Sequence, residues 1–237
     1  MGIAVSLRRD LDISYYRRFL HKIIQIPELD ELILASGYVT HGKTYKVLDD
    51  ELWERLRNAK GNSVFELKTI AGRFNSFTDQ YAIWYGEFVS EIESRIGNFE
   101  PKWKYYPLIA KKRNWHAKIA LGLSKGDPIA CIIGSSNLTS TAYGERRSKG
   151  RVSLFNHECD VTIWKDDPIY DKIFLSDSPE EGQKERIDYS RSDAPMALIM
   201  NRNIRQQDES HRMRNLQKAM NDIDLQNYFD WRKNEQD

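Results

Sequence analysis

Hydrophobic and polar positions in the first hundred residues switch between two periods. "SYYRRFLHKIIQI" (14–26) carries apolar residues at helical spacing and stops before Pro27. "ELILASGYV" (31–39) is a short apolar run ending in Ser-Gly, the pattern of a buried strand. "YKVLDDELWERLRNAK" (45–60) sets Val47, Leu48, Leu52 and Leu56 on one helical face, with Gly61 as a C-cap signal. "SVFELKTIAG" (63–72) reads as a second strand, and "TDQYAIWYGEFVSEIESRI" (78–96) as a long helix opened by a Thr or Asp cap. This alternation predicts an α/β layered domain.

After Pro101 the pattern changes. "KWKYYPL", "WHAKIALGL", "PIACIIGS" and "HECDVTIW" are four strand-like runs, the middle two joined by the turn "SKGD". A short helix is predicted from about Asn137, and another over "PIYDKIFL" (168–175). The expected organisation is one domain over residues 1–176, a polar linker over 177–202 and a charged, helix-permissive tail over 203–237. In the tail Met213, Leu216, Met220 and Ile223 form a sparse stripe, open to docking on the domain, docking on a partner, or solvation.

The chain has 237 residues, 40% of them hydrophobic, enough for one large domain with a core. No internal repeat of 20–50 residues is visible. No apolar run approaches the roughly 18–20 residues needed to cross a bilayer, and "MGIAVSLRRDLD" lacks the apolar centre of a signal peptide. Cys131 and Cys159 each sit in an apolar run, where buried free thiols in a reducing compartment are expected. A cytoplasmic protein without stable membrane association follows as the expectation. The net charge of +1 hides an asymmetry: residues 101–151 hold eleven basic and two acidic side chains, or +9, against −2 before and −6 after. A basic block of this kind points to an anionic substrate, although a solvated surface has the same composition.

Inside the basic block lies "NWHAKIALGLSKGDPIACIIGSSNLTSTAY" (114–143). If Ser124–Asp127 forms a four-residue loop, facing residue numbers sum to 251 and His116 stands opposite Ser135. His116, Lys118, Ala120 and Gly122 then share one face, and Ala117, Ile119, Leu121 and Leu123 the apolar other. Asn137 joins the polar face if extended geometry continues. A slip of one residue would separate the two sets. A neutral imidazole can attack phosphorus, an ammonium group can neutralise its non-bridging oxygens, and Asn and Ser can add hydrogen bonds. The histidines at 21, 41, 116, 157 and 211 show no ligand-spaced cluster, so neither metal nor cofactor is expected.

These residues resemble the phospholipase D superfamily signature, H-x-K-x(4)-D-x(6)-G-S-x-N, in its one-copy, nuclease-like or restriction-endonuclease-like form. His116 and Lys118 match H-x-K, Gly134, Ser135 and Asn137 match G-S-x-N, and Asn156 and Glu158 match the N-x-E that often follows. Two features depart from it: Leu123 stands where the Asp would fall, and His116 to Gly134 is four residues longer than usual. The resemblance implies an α/β fold, a phospholipase D-like α-β-α sandwich with a mixed central sheet. It also implies a homodimer with a composite site, in which His116 serves as nucleophile in one subunit and general acid/base in the other. Lys118 and Asn137 would hold phosphoryl oxygens, Glu158 would orient the His116 ring, and Ser135 is a secondary candidate.

Each residue has a plainer reading beside this one. His116 could bond a backbone carbonyl, Lys118 could be a surface lysine, and Ser135 and Asn137 could cap a helix. Glu158 could pair with Arg146 or Arg147, and His41 could be a loop histidine with no role. Trp103 and Tyr105 alternate with Lys102 and Lys104, as stacking beside phosphate contacts requires, and as any half-buried strand gives. Lys111, Lys112 and Arg113 directly precede the His116 segment and fit a polyanionic backbone. The leading expectation is therefore a metal-independent nuclease acting on nucleic acid, with DNA favoured. The resemblance adds restriction or anti-phage defence, and a defence-system protein partner, as context. A soluble lipid phosphodiesterase and a non-catalytic DNA-binding module of a larger complex are the alternatives.

Overall fold

The structure is a computed structural model; it describes residues 2–7, 14–41, 48–61, 63–72, 79–97, 102–111, 116–139, 142, 158–175, 213–214, 216–218, 220–221 and 225–234. In chain order the elements are β1 (Gly2–Leu7), α1 (Tyr15–Ile24), β2 (Glu31–Ser36), α2 (Asp50–Lys60), β3 (Phe65–Ala71), α3 (Gln80–Ile96), β4 (Trp103–Ala110), β5 (Lys118–Ser124), β6 (Asp127–Gly134), β7 (Cys159–Trp164), α4 (Pro168–Leu175), β8 (Leu225–Asn227) and α5 (Tyr228–Asn234). The helix starts are encoded locally. Ser14 accepts from the backbone N–H of Arg17, Asp49 from Leu52 and Asp79 from Tyr81, each capping donors that the first helical turn leaves open.

One eight-stranded sheet runs in the order β1-β7-β6-β5-β2-β3-β4-β8. β2, β3 and β4 pair in parallel and every other pair is antiparallel, so the α/β class and the mixed central sheet are as expected. Against one face pack α1, α2, α3 and α4, burying Phe19, Leu20, Leu52, Trp53, Phe88, Val89 and Phe174 with the inward residues of the strands. Against the other face Ile33, Ala35, Ile70, Ile119, Leu121, Leu123 and Cys131 meet Met213, Leu216 and Met220. The described residues of 213–221 are helical, so the tail stripe docks on the domain and completes a helix–sheet–helix layering. Ile223 lies outside the described residues.

The first strand, β1, was not anticipated; it is an edge strand held by β7. The two cysteines differ: Cys131 is buried, with its thiol pushed up to about 12 by desolvation, while Cys159 is exposed. No helix among the described residues is long and apolar enough to cross a membrane.

The hairpin departs from its expected register in one instructive way. Lys125 and Gly126 both take positive φ (52° and 81°), so the loop is a two-residue turn whose twist suits a hairpin. Next to it Leu123 faces Pro128 and Ser124 faces Asp127, the expected register. A β-bulge between Gly122 and Leu123 then shifts the pairing by one, so that Gly122 faces Ala130 and Ile119 faces Ile133. Beyond the bulge Lys118 aligns with Gly134 and not with Ile133, which the expected register set opposite it.

Candidate active site

Parallel strands β2, β3 and β4 all end at one edge of the sheet, where β5 begins, β6 ends and β7 begins. The carboxyl ends of parallel strands are where α/β sheets offer open backbone and loops to a ligand. His116, Lys118, Ser135, Asn137 and Glu158 all gather at this edge. Ser36, the last residue of β2, faces Lys118 across the sheet.

His116 is exposed, whereas Lys118 is only 7% exposed. The Lys118 ammonium lies 2.6 Å from His116 Nδ1 and 2.7 Å from Nε2. It also donates to the His116 carbonyl at 3.0 Å. An ammonium has three donors and no acceptor, so it serves whichever ring nitrogen lacks a proton. Behind the ring Gly37 leaves no room for a side chain: a Cβ there would stand 2.4 Å from His116 Cδ2. Tyr38 meets the ring edge-on, with centroids 5.5 Å apart.

Asn137 does not begin a helix. Its Oδ1 accepts from the backbone N–H of Tyr38 and the Ser36 hydroxyl, both at 3.3 Å, and the next residue, Leu138, bridges in parallel to Val39. The Tyr38 N–H can only donate, which fixes the amide orientation and turns Nδ2 the other way. Nδ2 has no partner among the described residues, so two donors remain for a ligand oxygen.

Ser135 and Ser136 each have a carboxylate of their own. The Ser135 hydroxyl donates to Glu158 Oε2 and accepts from the Cys159 backbone N–H at 2.9 Å. Ser136 donates to Asp160 through its N–H, at 3.2 Å, and through its hydroxyl, at 2.6 Å. Burial pushes the Asp160 carboxyl above the ordinary aspartate range, with the Ser136 hydrogen bonds opposing and the neighbouring Glu158 charge adding to the rise. Gly134 is required beneath this carboxylate, because a Cβ would come 2.1 Å from Asp160 Oδ1 and 2.5 Å from the Cys159 carbonyl.

Glu158, 4% exposed, thus has the Ser135 hydroxyl as its hydrogen-bond partner among the described residues, and not the His116 ring expected for it. Asp160, Ser36 and Tyr38 were missed from the sequence. A signal for Asp160 was present: Glu158, Asp160 and Thr162 alternate on the buried side of a run that ends in Trp164.

The basic residues divide. Lys111 is exposed and follows β4 at the site edge. Lys112 and Arg113 lie outside the described residues, as does Asn156. Lys102, Trp103 and Lys104 sit at the opposite end of the sheet, roughly 20 Å along β4 from the site edge. Trp103 is 5% exposed, packs on Phe65 and donates its indole N–H to the Lys60 carbonyl. Lys104 pairs with Glu66 at 3.3 Å. The aromatic–basic alternation there belongs to a half-buried strand, and stacking on Trp103 is closed. His41 is buried against Phe88 and pairs with Glu91 of α3 at 2.8 Å.

No protein-family model and no curated protein matches the chain. Among solved structures it is similar to a polyphosphate kinase from Porphyromonas gingivalis, at 13% identity and a TM-score of 0.40 over 76% of this chain and 27% of that one. It is also similar to the phosphatidylserine synthase of Haemophilus influenzae Rd KW20, at 10% identity and a TM-score of 0.44 over 73% and 36%. NucT from Helicobacter pylori matches at 13% identity and a TM-score of 0.35 over 73% and 91%. The chain spans about a quarter to a third of the length of the first two. All three scores lie below 0.5, so what the chain does is argued from its own residues.

Proposed function

We propose that this chain is a phospholipase D-like phosphodiesterase that hydrolyses nucleic acid, DNA in preference, through a phosphohistidine intermediate. The observation that carries this reading is one edge of the sheet where an exposed imidazole, a buried ammonium and an amide with free donors meet. His116 attacks phosphorus and the bond from phosphorus to the leaving oxygen breaks. Lys118 and Asn137 Nδ2 hold the non-bridging oxygens as their charge grows. The leaving oxygen takes its proton from a second His116, which a homodimer with two-fold symmetry would supply. Water then gives a proton back to that second ring and attacks phosphorus, releasing His116 and a phosphomonoester. The exposure of His116 supports a site shared between two copies. The basic block around the motif supports a polyanionic substrate, and a role in restriction or phage defence is the context the family resemblance offers.

Cleavage of plasmid, single-stranded DNA and RNA in excess EDTA, by wild type and His116→Ala in parallel, tests the reading. EDTA-resistant cutting that falls by about three orders of magnitude in the variant is expected. Cutting that EDTA abolishes, or that the variant retains, overturns the histidine mechanism. No cutting of any nucleic acid shifts the reading to a lipid phosphodiester or a binding role.

A further inference from the structure

Four rings run in sequence away from the reactive edge. The His116 ring meets Tyr38 at 5.5 Å between centroids, Tyr38 meets Tyr81 at 4.3 Å, and Tyr81 meets Trp84 at 5.5 Å. Tyr38 follows directly from β2, and its own N–H holds the Asn137 amide. Tyr81 and Trp84 stand one turn apart at the start of α3, which Asp79 caps beside the site. The helix turns Ala82, Tyr85 and Gly86 into the core and leaves Tyr81 and Trp84 half-buried at the boundary with solvent. The Trp84 indole N–H has no partner among the described residues. Tyr38, Tyr81 and Trp84 are each half-buried, Tyr81 resting partly on the core, so a row of large aromatic side chains keeps part of its surface open to solvent beside His116.

We infer that Tyr38, Tyr81 and Trp84 form a stacking track for the bases of a single-stranded nucleic acid whose phosphate lies at His116 and Lys118. The inference rests on the nucleic-acid reading above and narrows it to substrates whose bases are free. A phosphate seated between the Lys118 ammonium and the Asn137 amide carries its sugar and base within reach of Tyr38, the ring already in contact with His116. The rings touch one another, so bases stack on the parts of the rings left open to solvent, and a row of three offers room for about two or three unpaired nucleotides. Every base has an aromatic face, so the track recognises bases without reading sequence. In a duplex the bases are paired and stacked on one another and cannot reach it. The stacking role considered for Trp103 thus passes to residues that adjoin the chemistry.

The test compares kcat/KM on two fluorescent chains of equal length. One is a mixed-sequence single-stranded oligodeoxynucleotide, and the other an abasic tetrahydrofuran phosphodiester chain with the same charge and no bases. Wild type is expected to prefer the base-bearing chain about tenfold or more, and Trp84→Leu or Tyr81→Leu to reduce that ratio about tenfold. Trp84→Phe, which keeps a ring, is expected to hold the ratio within about twofold of wild type. Equal use of both chains by wild type overturns the track, as does a parallel loss on both chains in the leucine variants. Failure of wild type to cut the oligodeoxynucleotide while it cuts plasmid also overturns the track, whereas failure to cut plasmid, single-stranded DNA and RNA alike overturns the nucleic-acid reading itself, a distinct result.

Discussion

At the residue scale the site is built by close approach. Two glycines carry it, and they respond differently to the same change. At Gly37 an added methyl meets the His116 ring, with the nearest backbone atom, His116 Cα, at 3.2 Å. A ring can swing aside, so Gly37→Ala is expected to displace the imidazole, cutting cleavage about tenfold or more while the thermal midpoint moves by only a few degrees. At Gly134 the obstacles are the Cys159 carbonyl and the Asp160 carboxylate, which the sheet and Ser136 hold still. Gly134→Ala is therefore expected to cost stability, about 1–3 kcal/mol by denaturant unfolding, together with activity. Equal effects at the two positions in both assays would show that the pocket around His116 is as rigid as the sheet.

At the element scale, pairing decides which side chains meet. The bulge between Gly122 and Leu123 absorbs one residue, so the tight Lys125–Gly126 turn coexists with the alignment of Lys118 beside Ser36 and Gly134. The seam of α1 and α2 holds a different feature. Arg17 of α1 bonds Asp49 and Glu51, and His21, one turn on, has its Nε2 buried with no partner among the described residues. Burial first, then the Arg17 and Arg55 charges, lowers its pKa from 6.5 to about 4, against the opposing pull of Glu51 and Asp49. The folded state therefore binds this proton less readily than the unfolded chain. Stability is full above pH 6.5 and declines as pH falls from 6.5 towards about 4. Thermal midpoints measured across that window should fall for wild type and fall less for His21→Leu. Identical slopes would assign the acid sensitivity to other groups.

At the scale of the whole molecule the tail is structural. Its apolar stripe covers a sheet face that would otherwise expose Ile33, Ile70, Ile119, Leu121 and Leu123, and β8 pairs with the end of β4. Tyr228 of α5 reaches the core on the other side, packing edge-on against Tyr85. A chain ending at residue 202 should lose several kcal/mol, since each buried Met side chain contributes roughly 1.5–3 kcal/mol, and should tend to aggregate through the bared face. Unfolding midpoints and light scattering check this. A shortened chain as stable and monodisperse as the full one would mean that the sheet face tolerates water.

Local features were legible in the sequence because their causes are local. Periodicity marked β2, β3 and α1 to α4, Asp79 caps α3 as its position before the helical run suggested, and the spacing of His116, Lys118 and Asn137 singled out the reactive edge. Asp49, however, read inside the second helix, is its cap. What the sequence alone left open depended on partners far along the chain. Ser36 and Asn137 meet across 101 positions, and the direction in which β4 runs decides that Lys111 adjoins the site while Lys102 and Lys104 do not. Alternation could not say which face of β4 is buried, so Trp103 served two readings until the sheet turned it inward. Likewise Glu158 was visible as a carboxylate near the motif, but its partner was set by the pairing of β6 with β7, which brings Ser135 and not His116 within its reach. Composition and period act within a few residues; strand order and register bring together residues a hundred positions apart, and here those decided which groups can touch a phosphate.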